Sequence, residues 1–195
     1  LEENMKRFTA RYVRDYFWQS RVRAVFFWIL EIAVAVALAF AFSYYFCQNI
    51  VVQEGSMEPT LSAGETVLID TAAYKLGSPK RGDIIVFRTG EDEKTSLHIK
   101  RVVGLPGETI QIRDGQIMID GETYMEKKDF PPSTNPGLAE EPVTLSSSEY
   151  FVLCDSRNSS EDSRHVDVGN VEKKNIVGKL WMVTSPFDKF GLLKK

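Results

Sequence analysis

The sequence is poor in the residues that build disulfide frameworks, metal centres and basic binding surfaces. Its 195 residues include two cysteines and two histidines, and the formal net charge is −3. Cys47 and Cys154 do not make a disulfide framework, and no cluster of cysteine and histidine has metal-ligand spacing. We therefore expect free thiols, no metal and no cofactor. Because the chain has no excess of basic residues, we also expect no nucleic-acid partner.

Long hydrophobic runs are absent too, with one exception near the amino terminus. Between Ala24 and Phe46 the only charged residue is Glu31. A helix of roughly 23 residues spans about 34 Å, which is enough to cross the hydrocarbon core of a bilayer. A buried helix would have to bury apolar groups on every face, and a cleaved signal peptide would have a shorter apolar core. The run therefore predicts an uncleaved membrane anchor.

The charges that flank this run predict its orientation. After it, no basic residue occurs until Lys75, whereas six precede it: Lys6, Arg7, Arg11, Arg14, Arg21 and Arg23. Under the positive-inside rule, the amino terminus would be cytoplasmic and the carboxy-terminal part would lie outside. We predict three segments, which are a basic cytoplasmic segment (1–23), a single transmembrane span (24–46) and an extracytoplasmic domain (47–195).

After the anchor, short strand-like stretches alternate with turn residues. The dipeptides Asp114-Gly115 and Asp120-Gly121 are typical of two-residue hairpin turns, and Pro131 to Pro142 predicts an exposed loop. The candidate strands are Ile50–Gln53, Thr66–Asp70, Asp83–Arg88, Ile99–Gly104, Thr109–Arg113, Gln116–Ile119, Tyr150–Cys154 and Lys179–Val183. The pattern predicts a mainly β fold, with an antiparallel sheet domain preceded by one transmembrane helix.

Ser56 lies in a short segment with glycine before it and proline after it. Glycine permits unusual backbone angles, whereas proline fixes φ and removes a hydrogen-bond donor. Such a segment can present a side-chain hydroxyl from a rigid turn. An ordinary turn serine would have the same local sequence, so this segment alone leaves both interpretations open.

Lys100 lies in a strand-like stretch where alternation places it on the same face as Val102. A lysine that shares a face with a core valine would be partly desolvated, and desolvation disfavours the charged ammonium. A neutral amine within hydrogen-bond reach of Ser56 could take the proton of its hydroxyl. An exposed lysine at a strand edge is the alternative that the local sequence leaves open.

Four runs, in this order behind a membrane anchor, resemble the bacterial type I signal peptidases. These are Ser/Lys-dyad proteases of the S26 family, anchored in the membrane, that remove signal peptides from exported proteins. Any one run is weak evidence, but the four together are specific, and the resemblance covers nearly the whole chain. The runs are Gly55–Leu61, Arg81–Phe87, Lys100–Glu108 and Asp155–Arg164.

The resemblance implies a role for each matching residue. Ser56 would be the nucleophile, Lys100 the general base, and Ser160 a residue that orients the lysine amine. The backbone N–H of Ser56 would stabilise the oxyanion. Three further residues would support the site, the last two as an ion pair: Asp155, Asp162 and Arg164.

Two positions depart from the family's pattern. Some members carry a serine two residues before the nucleophile, whose hydroxyl is a second oxyanion donor, and here that position is Glu54. We expect the Glu54 carboxylate to point away from the oxyanion, because it would repel the developing charge. The glycine that usually precedes the aspartate of the last run is replaced by Cys154, so the surroundings of the lysine can differ from those in the family.

The expected function is cleavage of signal peptides from secreted preproteins, with Ala-like residues preferred at the −1 and −3 positions. The expected partners are these signal peptides and the lipid bilayer, and the secretion translocon is a further candidate. About ten residues separate Phe46 from Ser56, which is at most about 35 Å of extended chain. The site is therefore expected near the membrane surface.

Three alternatives compete with this interpretation. A Ser/His/Asp triad would use Ser56, Asp162 and one of the histidines, His98 or His165. A self-cleaving regulator with a similar Ser–Lys pair would need a DNA-binding domain, and the anchor occupies the place of that domain. A non-catalytic β module would keep every activity when Ser56 and Lys100 are replaced.

Overall fold

The computed structural model describes residues 21–41, 47–90, 96–158 and 161–193. The chain divides into two compact units, with the boundary between Tyr45 and Phe46. Most of the predicted cytoplasmic segment, the end of the predicted span (42–46) and the predicted site residue Ser160 lie outside the described residues.

The first unit contains helix α1, Arg21–Ala41. By length and composition this helix is able to cross a membrane. Every one of its residues is exposed, so no protein core covers its apolar side chains. A helix that is apolar all round must be buried in protein or in lipid, which agrees with the apolar character predicted for the anchor.

The second unit consists of two antiparallel sheets. In the larger sheet the strand order is β1-β2-β11-β3-β4-β9-β10, with β12 paired to β11, and in the smaller sheet it is β7-β6-β5-β8. The strands are β1 Cys47–Val51, β2 Thr66–Asp70, β3 Ile84–Arg88, β4 Leu97–Gly104, β5 Thr109–Arg113, β6 Gln116–Ile119, β7 Glu122–Thr123, β8 Val143–Thr144, β9 Glu149–Leu153, β10 Val171–Glu172, β11 Ile176–Ser185 and β12 Gly191–Leu192. The prediction of a mainly antiparallel β fold after an apolar helix is confirmed.

The helices of this unit are short. Helix α2 spans Ala73–Leu76, and four single-turn 3₁₀ helices span Gly55–Met57, Gly137–Glu140, Lys173–Asn175 and Phe187–Lys189. Sequence alternation predicted neither α2 nor these turns, because segments of three or four residues are too short to show a helical period.

All eight predicted strands are present, with boundaries that differ by a few residues. The largest difference is β11, where the prediction covered only Lys179–Val183 of a ten-residue strand. This strand shifts register against both β2 and β3. Such bulges interrupt the alternation of side chains between the two faces, so the period-two pattern cannot reveal the whole strand. The strands that were not predicted are two residues long.

Both hairpin predictions are confirmed. Asp114 and Gly115 have φ angles of 51° and 76°, and Asp120 and Gly121 have 52° and 84°. Two consecutive positive φ angles are the signature of the type I′ turn, whose twist matches that of the flanking strands. The turns connect β5 to β6 and β6 to β7.

Strand β4 is covered on both of its faces. Its residues from Ile99 to Gly104 are all buried, including the charged Lys100 and Arg101. Sequence alternation predicted partial desolvation of Lys100 beside Val102 and left an exposed lysine at a strand edge as the alternative. Charged side chains are rarely buried unless they are paired or hydrogen-bonded, so β4 carries two side chains whose burial has to be explained by their neighbours.

The loop predicted to be exposed, 131–142, is only partly so. Most of its residues are exposed, but Ser133 and Ala139 are buried. Arg164 binds this loop through two hydrogen bonds. Its Nη1 donates to Ser133 Oγ at 2.6 Å and to the Asn135 carbonyl at 3.0 Å. The prediction of exposure was wrong for Ser133 and Ala139. For Ser133, the sequence does not show that a distant arginine binds its hydroxyl.

We expect Gly104→Ala to lower the free energy of unfolding of the full chain by about 1–3 kcal/mol. A Cβ at this position would lie 2.8 Å from side-chain atoms of Ile110, Leu145 and Phe151, so the core would have to move. Urea unfolding in detergent measures the effect. Ser147→Ala, at an exposed turn, is the control. Equal stability of the two variants would contradict the prediction.

Candidate active site

Ser56 lies in the middle of the 3₁₀ helix that follows β1. Its neighbours are held by consecutive turns, since Glu58 N donates to Gly55 O at 3.1 Å and Leu61 N donates to Met57 O at 2.9 Å. The side chains of Met57 and Leu61 are buried in the hydrophobic core, in one cluster with Val67 and Ile69. The segment from Gly55 to Leu61 is therefore one compact unit that presents Ser56 in a defined position.

Lys100 comes from strand β4 and meets this serine. Its Nζ donates a hydrogen bond to Ser56 Oγ at 2.9 Å. Both residues are buried, with 1% of Lys100 and 6% of Ser56 exposed. Within the described ranges, no carboxylate is bonded to Nζ. The structure thus brings together the two residues that the sequence selected, at a separation suited to proton transfer.

Asp155 lies beside this pair and is bound by two residues. Arg101 Nε and Nη2 donate to its two carboxylate oxygens at 2.7 and 2.6 Å, and Thr60 Oγ1 donates to Oδ2 at 2.5 Å. Arg101 also donates to the Gly82 carbonyl at 2.9 Å. Asp155 is fully buried, and its charge is compensated by the bidentate guanidinium.

Asp162 and Arg164 form a second buried ion pair. Arg164 Nε and Nη2 each donate to Asp162 at 2.8 Å. Burial by itself raises the pKa of Asp162, but the hydrogen bonds and the charge of Arg164, together with hydrogen bonds from Cys154, hold that pKa below its usual value. The carboxylate is therefore ionised, and the pair adds no net charge next to the site.

The side chain of Cys154 is bonded to this ion pair. Its Sγ donates to Asp162 Oδ2 at 2.9 Å, and its backbone N–H donates to the same oxygen at 3.1 Å. Burial and the neighbouring charge of Asp162 raise the pKa of the Cys154 thiol to about 12. The thiol is therefore neutral and unreactive. It acts as a hydrogen-bond donor to the Asp162 carboxylate.

Glu54 is exposed at the rim of the site, in an extended conformation. Two residues later, the backbone N–H of Ser56 is in the first turn of its 3₁₀ helix, so it has no hydrogen-bond partner within that helix. This N–H can donate to an oxyanion formed at Ser56. Glu54 also lines the cleft beside Ser56, and the expected direction of its carboxylate stays a prediction.

A cleft of about 490 Å³ opens beside Ser56. Its walls come from the end of β1 with the residues that follow, and from the start of β4. They present both apolar and polar groups: Ile50, Val51, Val52, Gln53, Glu54, Ser56, Met57, Ser96, Leu97 and Ile99. β1 is the outer strand of the larger sheet, with β2 on one side. An extended peptide could therefore use the backbone groups on its other edge.

The two histidines do not complete a triad with Ser56. His98 stacks on the Phe87 ring with a centroid separation of 5.6 Å, and its Nε2 lies 3.3 Å from Thr89 Oγ1. Burial and the nearby charge of Lys100 lower the pKa of His98. The His165 backbone N–H donates to the Asp162 carbonyl. In the described part of the chain, the side chain bonded to Ser56 Oγ is Lys100.

Two residues of the site were missed by sequence reasoning, Arg101 and Thr60. The signal for Arg101 was present, because it alternates with Lys100 and shares its face with Ile99 and Val103. A charged residue on a face with core residues needs a buried counter-ion, and Asp155 fills that role. Thr60 had no comparable signal, since a threonine after proline is common in turns.

Comparison with known proteins relates most of the chain to one family. Residues 25–184 match the family described as signal peptidase, peptidase S26. Signal peptidase I of Bacillus licheniformis is 32% identical over 177 residues, covering 87% of this chain and 94% of that protein. Signal peptidase I P of Bacillus subtilis subsp. natto is 35% identical over 170 residues, covering 83% and 90%. A solved structure, signal peptidase I of Enterococcus faecalis, is 30% identical with a TM-score of 0.42, covering 52% and 96%.

The ion pair of Asp162 predicts a loss of stability in acid. Because folding lowers the pKa of Asp162, its contribution is complete above the unfolded-state pKa of about 4 and is lost as the pH falls towards the folded-state pKa. Asp162→Asn should therefore be less stable than the wild type at pH 6, by a margin that shrinks below pH 4. Urea unfolding at several pH values measures this margin.

The matched control is Asp167→Asn, which removes an exposed carboxylate from the same region. It should keep the pH dependence of the wild type. If the margin between the wild type and Asp162→Asn is constant from pH 6 to pH 3, Asp162 does not contribute stability through its ionised form.

Proposed function

The chain belongs to the signal peptidase family, peptidase S26, and we propose that its Ser56 and Lys100 are the nucleophile and the general base. As a type I signal peptidase, it is a peptidase that cleaves the signal peptides of preproteins. The observation that carries the assignment of the dyad is the buried contact of 2.9 Å between Lys100 Nζ and Ser56 Oγ.

In the proposed reaction, the neutral amine of Lys100 accepts the hydroxyl proton as Ser56 Oγ attacks the scissile carbonyl. The carbonyl electrons form an oxyanion, to which the backbone N–H of Ser56 donates. Collapse of this intermediate breaks the peptide bond, and the Lys100 ammonium gives its proton to the leaving amine. An acyl group then remains on Ser56.

The second half of the reaction repeats these steps with water. Lys100, neutral again, accepts a proton from a water molecule while the water oxygen attacks the acyl carbonyl. Collapse of the second intermediate releases the carboxylate of the cleaved signal peptide and returns the proton to Ser56 Oγ. A single amine thus serves both halves, which requires that it stays within reach of Ser56.

The supporting residues have distinct tasks in this proposal. Asp155 is paired with Arg101 and Asp162 with Arg164, so neither carboxylate is left to form an ion pair with Lys100 and hold it in its charged form. Ser160 is proposed, from its place in the family's pattern, to orient the lysine amine.

The substrate is proposed to bind in the cleft beside Ser56 as an extended strand. Its backbone would pair with the free edge of β1, as in β-augmentation. Apart from Glu54, the residues that line the cleft are uncharged, which suits small uncharged side chains. Ala-like residues at the −1 and −3 positions before the cleaved bond agree with this environment.

We propose that the enzyme works at the membrane as a single-pass protein. The apolar helix α1 and the basic residues before it support a cytoplasmic segment 1–23, a span 24–46 and an extracytoplasmic domain 47–195. The lipid bilayer is then a direct partner of α1. The secretion translocon is a candidate partner, because it delivers preproteins to the extracytoplasmic side.

Replacement of either member of the dyad should remove the activity. We expect Ser56→Ala and Lys100→Met to lower kcat by about 10³-fold or more, because each removes a group that takes part in bond formation or proton transfer. Cleavage of a purified preprotein by detergent-solubilised enzyme, followed by mass spectrometry, measures the loss. Lys75→Met, at an exposed position of α2, is the control.

Cleavage at the same bond by Ser56→Ala would exclude Ser56 as the nucleophile. Lys100→Arg with wild-type activity would exclude Lys100 as the base, because arginine does not lose its proton at working pH.

The orientation predicts which cysteines react with a membrane-impermeant maleimide added to intact cells. In a Cys47→Ser background, Ser147→Cys should be labelled before lysis, because it lies at an exposed turn of the domain 47–195. Thr9→Cys should be labelled only after lysis. Cys154 is fully buried and should give a low background. The reverse pattern of labelling would show that the orientation is opposite.

A further inference from the structure

The two halves of the proposed dyad come from parts of the larger sheet that are not neighbours. Ser56 lies between β1 and β2, whereas Lys100 lies in β4, and the strands β11 and β3 separate β2 from β4. Backbone pairing therefore does not join the Ser56 segment to the strand of Lys100. Other contacts must hold the two side chains at 2.9 Å.

One carboxylate connects these two parts directly. Asp155 is bound on one side by Arg101, the residue that follows Lys100 in β4. On the other side it accepts a hydrogen bond from Thr60 Oγ1 at 2.5 Å. Asp155 is thus the junction between the strand of the proposed base and the segment of the proposed nucleophile.

The Thr60 end of this junction is rigidly connected to Ser56. Thr60 N donates to Met57 O at 2.8 Å, which extends the series of turns that begins at Gly55. A second contact ties the same segment to the residues after Asp155, since Ser156 N donates to Ser56 O at 3.1 Å. A displacement of Thr60 would therefore be passed on to Ser56.

The hydroxyl of Thr60 is also oriented. Lys128 Nζ donates to Thr60 Oγ1 at 3.4 Å. Because a hydroxyl has one proton, accepting a hydrogen bond from Lys128 leaves that proton available for Asp155. The methyl group of threonine cannot make either contact, so the arrangement depends on the hydroxyl and not on side-chain volume.

We propose that Thr60 is a positioning residue for the reaction: through its hydroxyl and Asp155 it holds Ser56 Oγ within hydrogen-bond distance of Lys100 Nζ. The inference rests on the proposed function of that dyad. In this role Thr60 does not contact the substrate. Loss of its hydroxyl should therefore slow the chemical steps and leave substrate binding intact.

The test compares Thr60→Val, which keeps the shape and removes the hydroxyl, with Thr60→Ser, which keeps the hydroxyl. With a preprotein substrate and full-length enzyme in detergent, Thr60→Val should lower kcat by about ten- to a hundredfold, because small misplacements of reacting groups are costly. KM should stay within about twofold. Thr60→Ser should retain kcat within about threefold of the wild type.

The control is Thr109→Val, which makes the same substitution at a threonine hydrogen-bonded to Thr144 in the smaller sheet. Its kcat should be unchanged, and Tm values of both variants show whether a loss of folding accounts for any effect. At high pH, where kcat reaches a plateau, the value for Thr60→Val should stay below that of the wild type. Deprotonation of Lys100 does not restore the position of Ser56 Oγ.

If Thr60→Val does not fold, Lys128→Met tests the same hydroxyl by removing the group that orients it, and kcat should fall about two- to threefold with KM unchanged.

A wild-type kcat in Thr60→Val would overturn the positioning role. If Thr60→Val does not fold, a wild-type kcat in Lys128→Met would overturn it. So would a loss in Thr60→Ser as large as in Thr60→Val, or a Thr60→Val plateau that returns to the wild-type value at high pH. Activity that survives Ser56→Ala would instead overturn the dyad.

Discussion

In the described part of the chain, the proposed site contains a buried amine, Lys100, with no carboxylate bonded to it. Burial of an ammonium group is costly unless a carboxylate lies close to it, yet pairing with a carboxylate would stabilise the charged form and prevent the amine from acting as a base. The described carboxylates near the site are paired with arginines instead of with Lys100. Asp155 is bound by Arg101 and Asp162 by Arg164. In the described part of the site, Lys100 is then left with a neutral hydroxyl as its partner.

The same ion pairs shape the protein around the site. Arg164 donates to Asp162 and also to oxygen atoms of Ser133, Asn135 and Arg157, so one guanidinium holds a loop, a turn and a carboxylate. Lysine could not replace it, because a single ammonium cannot present donors in so many directions. Cys154 adds a donor to the Asp162 carboxylate, which allows a side chain to occupy this position without leaving a buried polar group unpaired.

Sequence patterns predicted this protein well where local rules decide the structure. Both I′ turns and the eight longer strands follow from side-chain alternation and turn chemistry. Prediction failed where distant residues decide the structure: Arg101 is buried because Asp155 pairs with it, and Ser133 because Arg164 reaches it. Ser56 and Lys100 were chosen through their place in four ordered runs. Thr60 has no such signal, since its role depends on a contact with a residue 95 positions away.

Among the described residues β1 pairs on one edge only, with β2, and its other edge has a consequence beyond the proposed substrate binding. An edge strand that can accept a peptide exposes unpaired N–H and C=O groups, which makes it a template for aggregation with other chains. Here the edge is five residues long, and three of its side chains are exposed, including Val51. Its shortness limits the hydrogen bonds that a wrong partner could form. A short edge strand is therefore a smaller template for aggregation than a long one.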